Sequence, residues 1–443
     1  MKAREKFGGR AAVIMALAGS AIGLGNIWRF PYLVGQNGGA AFIVIYLLSC
    51  AVLALPIFFS ESVIGRRSGS NTFGAMKKLA PGSGWKWMGL LTVVTPILLL
   101  SYYSVVGGWS VDYLVKACAL RFTGDTSGIF GNFISSTWEP LITHTVFMAL
   151  TAGVILLGVK NGIEKFTKIT MPLLFVLIVA IVIYGLTLPG SWKGVEYMVK
   201  PDFSRINADV VATAMGQAFF SLSLGVGTIL TYSSYMRKEE NIVTSGAYTA
   251  LFDLLFALLA GFAVMPAVFS AGIQPEEGAG LVYDTLPYIF SQMRWAGVIV
   301  GILFFFTILI AALTSSISLL EVGVAYLVEE AGWSRTRSTL VLALGTWALG
   351  VLCSLSFGPL SGVKVLNQTI FDFLDSLCSN WLMPLGGLLF TLFVGWRMSK
   401  ADVRDELTNG GTCNTRLFGV VYFLMRFLAP VGIVVVFLTN LLL

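Results

Sequence analysis

Long apolar stretches free of Asp, Glu, Lys and Arg dominate this chain. They run over 11–28, 30–60, 87–111, 140–159, 169–192, 210–236, 295–320, 338–363 and 376–396. Two more, 241–269 and 417–443, are each interrupted by one charge, Asp253 and Arg426 respectively. About 20 apolar residues of helix are needed to cross a hydrocarbon layer of roughly 30 Å, so each stretch predicts a transmembrane helix and the total is eleven. The first continues into GLGNIWRFP rather than a hydrophilic cleavage region, so it is expected to be a retained span and not a signal peptide. The expected fold class is all-α and integral to the membrane.

Composition agrees with the pattern. The 443 residues are 56% hydrophobic and 12% charged, about half the roughly 25% charge of an average soluble protein, which excludes an ordinary water-soluble globule. Spans that pack on one another form one unit, so the length is not divided into soluble domains. Cysteines at 50, 118, 353, 378 and 413 show no CxxC or metal-ligand spacing and read as small apolar core residues. The one histidine, His144, excludes an HExxH site, and its place near the start of a span suggests an interfacial position. The net charge of +6 has no basic cluster interleaved with stacking aromatics, so no nucleic acid partner is expected.

The basic residues instead give an orientation. Twenty of the 29 Lys and Arg fall in the N-terminal segment and the loops after spans two, four, six, eight and ten. Only seven lie on the opposite side: Lys116, Arg121, Lys193, Lys200, Arg205, Arg294 and Lys364. Positive charge is retained on the cytoplasmic face, so the N-terminus is expected in the cytoplasm and, after an odd number of spans, the C-terminus outside. Arg29 and Arg426 remain inside spans, and Arg426 has no evident role.

Two spans read as broken. Span one contains AGSAIGLGNIWRFPY (18–32), with Gly19, Gly23 and Gly25 around Asn26, then Arg29 and Pro31. Each glycine costs about 1 kcal/mol against alanine in a helix, and Asn26 and Arg29 need partners that lipid does not offer. Close packing through G19xxxG23 is the alternative, but it accounts for neither polar residue. Span six, GQAFFSLSLGVGTILTYSSY (216–235), carries Gly225 and Gly227 midway, after Ser221 and Ser223. Five spans separate the interruptions, and a five-helix unit repeated once is inverted because five is odd. Paired interruptions of this kind point to a midplane transport site. Freed carbonyls there can bind a cation, and half-helix N-termini suit an anionic group.

Span eight adds ALTSSIS (312–318), with Thr314, Ser315, Ser316 and Ser318. Such hydroxyls can simply bond to carbonyls one turn back, or they can supply hard oxygen donors for a small alkali cation. Asp253 is a carboxylate within the membrane, which reads as functional.

GSAIGLGNIWRFPY, the NGGAAF that follows at 37–42, LSYYSVVGGW (100–109), QAFFSLSLGVGTILTYSSY and ALTSSIS together resemble the neurotransmitter:sodium symporter family, of the bacterial LeuT type, over residues 4 to about 396. The resemblance implies a LeuT fold: inverted repeats over 1–193 and 194–396, with 397–443 adding a loop and an eleventh helix. It also implies sodium-coupled uptake of an amino acid across the cell membrane by alternating access, with two Na+ sites, no organic cofactor and no obligate protein partner. The first sodium site would use Ala21, Asn26, Ser221 and Asp253. The second would use Gly19, Ile22, Ala311, Thr314 and Ser315. The substrate carboxylate would meet Leu24, Gly25 and Tyr103, and its ammonium Ala21, Phe220, Ser221 and Ser223. Leu99, Val226, Ser315 and Leu319 would face its side chain, which favours a neutral, bulky and even aromatic cargo.

Departures from the family pattern carry their own expectations. Asp253 stands where many relatives have Asn, and Ala257 where LeuT-like proteins carry Glu. Asp253 would then supply the charge that a chloride ion gives elsewhere, leaving Tyr46, Gln217 and Ser221 around a vacant chloride position. Arg29 and Phe220 resemble an outer gate whose usual acidic partner in span ten is missing, with Ser379 or Asn380 in its place; Asp372 or Asp375 could substitute. Arg4 resembles an inner-gate arginine paired with Glu329, with Tyr235 beside it. A proton-coupled symporter of the same fold, with Asp253 titrating, is the nearest rival. A channel would need a continuous polar lining, and an enzyme a nucleophile with a base.

Overall fold

The computed structural model describes residues 5–122, 126, 128–273, 278–412 and 417–442. Nine helices among them are long and apolar enough to cross a membrane: Ala40–Ser68, Lys86–Cys118, Trp138–Leu156, Val159–Leu186, Ile242–Ser270, Arg294–Glu330, Arg335–Leu355, Ile370–Arg397 and Phe418–Thr439. Span one is a pair, Arg10–Ala21 and Gly25–Gln36, bent by 54° at its break. Span six is Ala208–Ser221 and Thr228–Ser233, and neither half is long enough to cross alone. Nine continuous helices, one bent pair and one split helix thus account for the eleven expected spans.

Spans three and eight, Lys86–Cys118 and Arg294–Glu330, are the longest at 33 and 37 residues. At 1.5 Å per residue each exceeds the hydrocarbon thickness, so both tilt or project from it. They pack along one another and form a continuous wall, buried through Leu99–Ser110 on one and Thr307–Ala325 on the other. Lipid-length helices bury only part of their surface: Trp138–Leu156, Val159–Leu186 and Arg335–Leu355 keep exposed Ile142, Leu150, Val176, Ile183 and Leu344, as an apolar solvent permits. The broken helices run inside this frame.

The breaks have local causes. In span six the chain enters the left-handed region at Ser223, Gly225 and Gly227, with φ of 51°, 80° and 75°, a conformation that only glycine adopts without strain. A Cβ on Gly225 would also come within 2.0 Å of the Met383 carbonyl oxygen. In span one, a Cβ on Gly23 would lie 2.5 Å from Ser315 Oγ and 2.9 Å from Tyr103 Oη. Glycine here permits close approach to spans three and eight rather than loose packing.

Candidate functional site

The two breaks face one another across a cavity of about 370 Å³ in the middle of the bundle. Every residue expected to touch substrate lines it: Ala21, Leu24 and Gly25 from span one, Leu99 and Tyr103 from span three, Phe220, Ser221, Ser223 and Val226 from span six, and Ser315 and Leu319 from span eight. Gly23 and Met383 complete the wall, which holds no charged side chain. Tyr103 Oη accepts from the Leu24 amide at 3.3 Å, so the hydroxyl stands at the freed N-terminus of the second half of span one. Helix N-termini carry unpaired N–H groups and a positive dipole end, and this one is aimed where a carboxylate can enter.

Beside the cavity, a polar knot joins spans one, six and seven. Asn26 Nδ2 donates to Asp253 Oδ1 at 2.7 Å, to the Asp253 carbonyl at 3.3 Å and to Ser221 Oγ at 3.1 Å. Ser221 Oγ donates to Asp253 Oδ2 at 2.7 Å, and Tyr46 Oη to Ser221 Oγ at 3.2 Å. Asn26, Tyr46 and Asp253 are fully buried. A carboxylate in such a place needs either these donors or a cation. Gln217 lies close by, giving Nε2 to the Gly25 carbonyl at 3.1 Å while its Oε1 is buried without a partner.

A second oxygen cluster joins spans one and eight. Thr314 Oγ1 donates to the carbonyls of Ala311 (2.9 Å) and Ile22 (3.3 Å), and Ser315 Oγ to those of Ile22 (3.1 Å) and Ser20 (3.2 Å). Gly19 lies against Thr314, whose Cβ would be 3.5 Å from an added methyl. Ile22 is the residue at which the first half of span one ends, so its carbonyl is freed by the break. Neutral hard oxygens converging at one depth suit a monovalent alkali ion better than a transition metal. Ser223 Oγ, for its part, donates to the Ser20 carbonyl at 2.9 Å.

The two ends of the bundle beyond the cavity are built differently. Beyond the cavity on one side, the Arg29 guanidinium lies 4.8 Å over the Phe220 ring. Among the described residues no carboxylate comes within 4 Å of it. Asp375 shares a 590 Å³ cavity with Arg29 and accepts from Ser379 at 3.0 Å, whereas Asp372 is engaged by Thr369 Oγ1 at 2.6 Å. Of the two candidates, Asp375 is therefore the one facing Arg29. On the other side Arg4 lies outside the described residues. Tyr235 Oη donates to Glu321 Oε1 at 2.7 Å, and Glu321 is gripped by Arg335 through Nη1 (3.1 Å) and Nη2 (2.6 Å). Glu329 accepts from the backbone and side-chain amides of Asn71, at 2.9 and 3.0 Å.

The whole chain can be compared with known proteins on this footing. The model of the sodium:neurotransmitter symporter family matches residues 4–128 and 130–443. This chain belongs to that family. Among its relatives, the sodium-dependent transporter YhdH of Bacillus subtilis is 40% identical over 96% of this chain and 95% of its own length. A sodium-dependent transporter of Haemophilus influenzae is 34% identical over 99% of both. The crystal structure of MhsT in complex with L-phenylalanine superposes with a TM-score of 0.91 at 40% identity, covering 99% of this chain and 100% of MhsT. The fold is thus the LeuT fold of a multi-pass sodium-dependent transporter.

For a symporter of this family, two further acids stand out that the charge-free pattern passes over. Glu321 and Glu61 are each fully buried but lie one residue beyond an apolar run, where they read as flanking charges. Glu61 Oε1 accepts the Gly225 amide at 2.7 Å, satisfying a donor that the break in span six leaves without a helical partner. His144 needs correction. It is fully buried rather than interfacial, with Nε2 2.9 Å from Ser104 Oγ, in a slot made by Gly108 and Gly350, where a Cβ would come within 2.7 and 2.5 Å of it. Arg426 also finds a place: its guanidinium lies 4.5 Å over the Trp396 ring, a cation–π contact at the edge of span ten.

Proposed function

We propose that this symporter couples sodium entry to uptake of a neutral amino acid with an apolar or aromatic side chain, by alternating access and without chloride. The supporting observation is the central cavity: about 370 Å³, without a charged side chain, and with Leu99, Val226, Leu319 and Met383 in its wall. A zwitterion loses its hydration only if both ends are matched. Its carboxylate goes to the Leu24 and Gly25 amides and Tyr103 Oη, and its ammonium to the carbonyls and hydroxyls of Ala21, Phe220, Ser221 and Ser223.

One sodium ion enters the knot of Ala21, Asn26, Ser221 and Asp253, and exchanges the Asn26–Asp253 hydrogen bond for ion–oxygen contacts. The substrate carboxylate completes its shell, so each solute strengthens the other's binding by the same factor. The second ion takes Gly19, Ile22, Ala311, Thr314 and Ser315. Asp253 supplies the negative charge in the pocket of Tyr46, Gln217 and Ser221. The residues at the Arg29 end face outward and those at the Tyr235 end face the cytoplasm, in keeping with the distribution of Lys and Arg.

Sodium-dependent binding of a labelled amino acid to the purified protein, competed by a panel of the others, tests this directly. Leucine, phenylalanine and their like should compete, and glutamate and lysine should not. Competition by the charged members would refute the substrate class. The buried carboxylate of Asp253, bonded to uncharged partners, also supports proton coupling as a second reading. That reading requires uptake to persist when sodium is replaced by choline at fixed pH.

A further inference from the structure

Span ten also reaches the central cavity, through Met383. Met383 is 2% exposed and lines the central cavity. It also lines a second cavity of about 620 Å³ that holds Arg29, Thr213 and Asn380. Phe220 and Met383 are the residues common to both linings, so these two side chains form the partition between them. Phe220 is covered by Arg29. Met383 carries no such cover.

Local structure explains how an ordinary apolar residue reaches this position. The helix of span ten contains a π-helical turn at Leu377–Leu382, which ends immediately before Met383. Such a turn holds an extra residue and rotates everything after it relative to a regular helix, a device common at functional sites. The backbone beyond it is locked: added methyls on Gly225 and Gly386 would come within 2.0 Å of the Met383 and Gly225 carbonyl oxygens respectively. Adaptation at this position would fall to the Met383 side chain, and methionine, unbranched and with three rotatable bonds, fills irregular space. Val226, the residue after Gly225, lines the same cavity and is small for a pocket wall.

We infer that Met383 sets the upper size limit of the transported side chain, filling the space left by Val226 for smaller cargo and yielding toward the 620 Å³ cavity for larger cargo. This rests on the amino acid reading above. The test uses the full-length protein in proteoliposomes under an inward sodium gradient, with apparent affinities measured for alanine, leucine, phenylalanine and tryptophan. Met383→Val should raise the preference for tryptophan over leucine about tenfold, and Met383→Phe should lower it by a similar factor, the scale expected for one or two methylenes of fit. The substitutions change volume in opposite directions, so either one that folds can overturn the inference. A change independent of cargo size, or of the same sign in both, would do so. Uptake of none of the four by the unmodified protein would remove the functional reading and this inference together. Uptake by the unmodified protein with a size-independent change in the variants would remove this inference alone.

Discussion

The two ends of the pathway differ in how they are shut. At the end carrying residues 5–9, Phe7 is fully buried with its ring edge-on to Tyr232 and Tyr235 at 5.8 and 5.9 Å. Its amide donates to the Tyr235 carbonyl at 3.1 Å, and its carbonyl accepts from Arg237 Nε at 3.1 Å. Glu5 and Glu164 take the amides of Val159 and Gly8 at 2.7 and 2.8 Å, tying the segment to span five. Behind it lies the buried Tyr235–Glu321–Arg335 network. At the opposite end the cover is Arg29 over Phe220, with open cavities of about 590 and 620 Å³ on either side. A many-partnered plug thus faces a two-residue lid.

The difference implies different opening costs. A single cation–π contact contributes about 0.5–2 kcal/mol, whereas opening the other end must separate the Phe7 ring contacts, its two backbone hydrogen bonds and the Glu321 network together. Opening at the Arg29 end is expected to break fewer contacts than opening at the other. Four experiments bear on this contrast.

The largest effect is expected at the centre, which both ends serve. Asp253→Ala leaves Asn26 and Ser221 without their carboxylate and should reduce sodium-dependent binding about 100-fold or more; binding within threefold of normal would remove Asp253 from the sodium site. Next, Glu321→Ala strands the Arg335 guanidinium and should shift the balance toward opening at the plugged end. A cysteine placed at Phe7, in a background lacking the exposed Cys118, should then react at least tenfold faster with a water-soluble thiol reagent, an effect of about 1.4 kcal/mol or more. An unaltered rate would show that Phe7, not Glu321, holds the plug. A smaller shift, about fivefold, is expected from Arg29→Ala, read as faster labelling of Thr213→Cys in the 620 Å³ cavity. Equal responses of the two ends would undo the contrast. The smallest effect expected is none: uptake after replacement of chloride by gluconate should match that in chloride, and a large loss would mean that Asp253 does not stand in for the anion.

The plug and the lid were not equally legible in the sequence. Arg29 belongs to the broken-helix signature, because an arginine amid glycines in an apolar span has no ordinary packing role, whereas Phe220 was legible only through the family resemblance. Lining residues such as Leu99 and Leu319 became legible only through the family resemblance, since leucine in a membrane helix looks the same whether it faces lipid, core or cargo. Glu321 and Arg335 were hidden by the counting itself. One looks like the flank of an apolar run and the other like an orientation signal, and only the approach of spans eight and nine makes them a pair. His144 was misplaced for the same reason, since its slot is built by glycines 36 residues before and 206 residues after it. Met383 depends on a π-helical turn that no apolar pattern announces. Arg4 lies outside the described residues, whereas Glu329, expected to pair with it, lies within them and accepts from Asn71.

Two broken helices enclose one cavity, in which sodium and a neutral amino acid are proposed to bind together. The most direct test of this joint binding is uptake of labelled phenylalanine into proteoliposomes with an imposed inward sodium gradient, against choline at the same pH on both sides. The account predicts accumulation above equilibrium with sodium and only passive entry with choline. Equal accumulation in both, or accumulation that follows an imposed pH gradient instead, would contradict it.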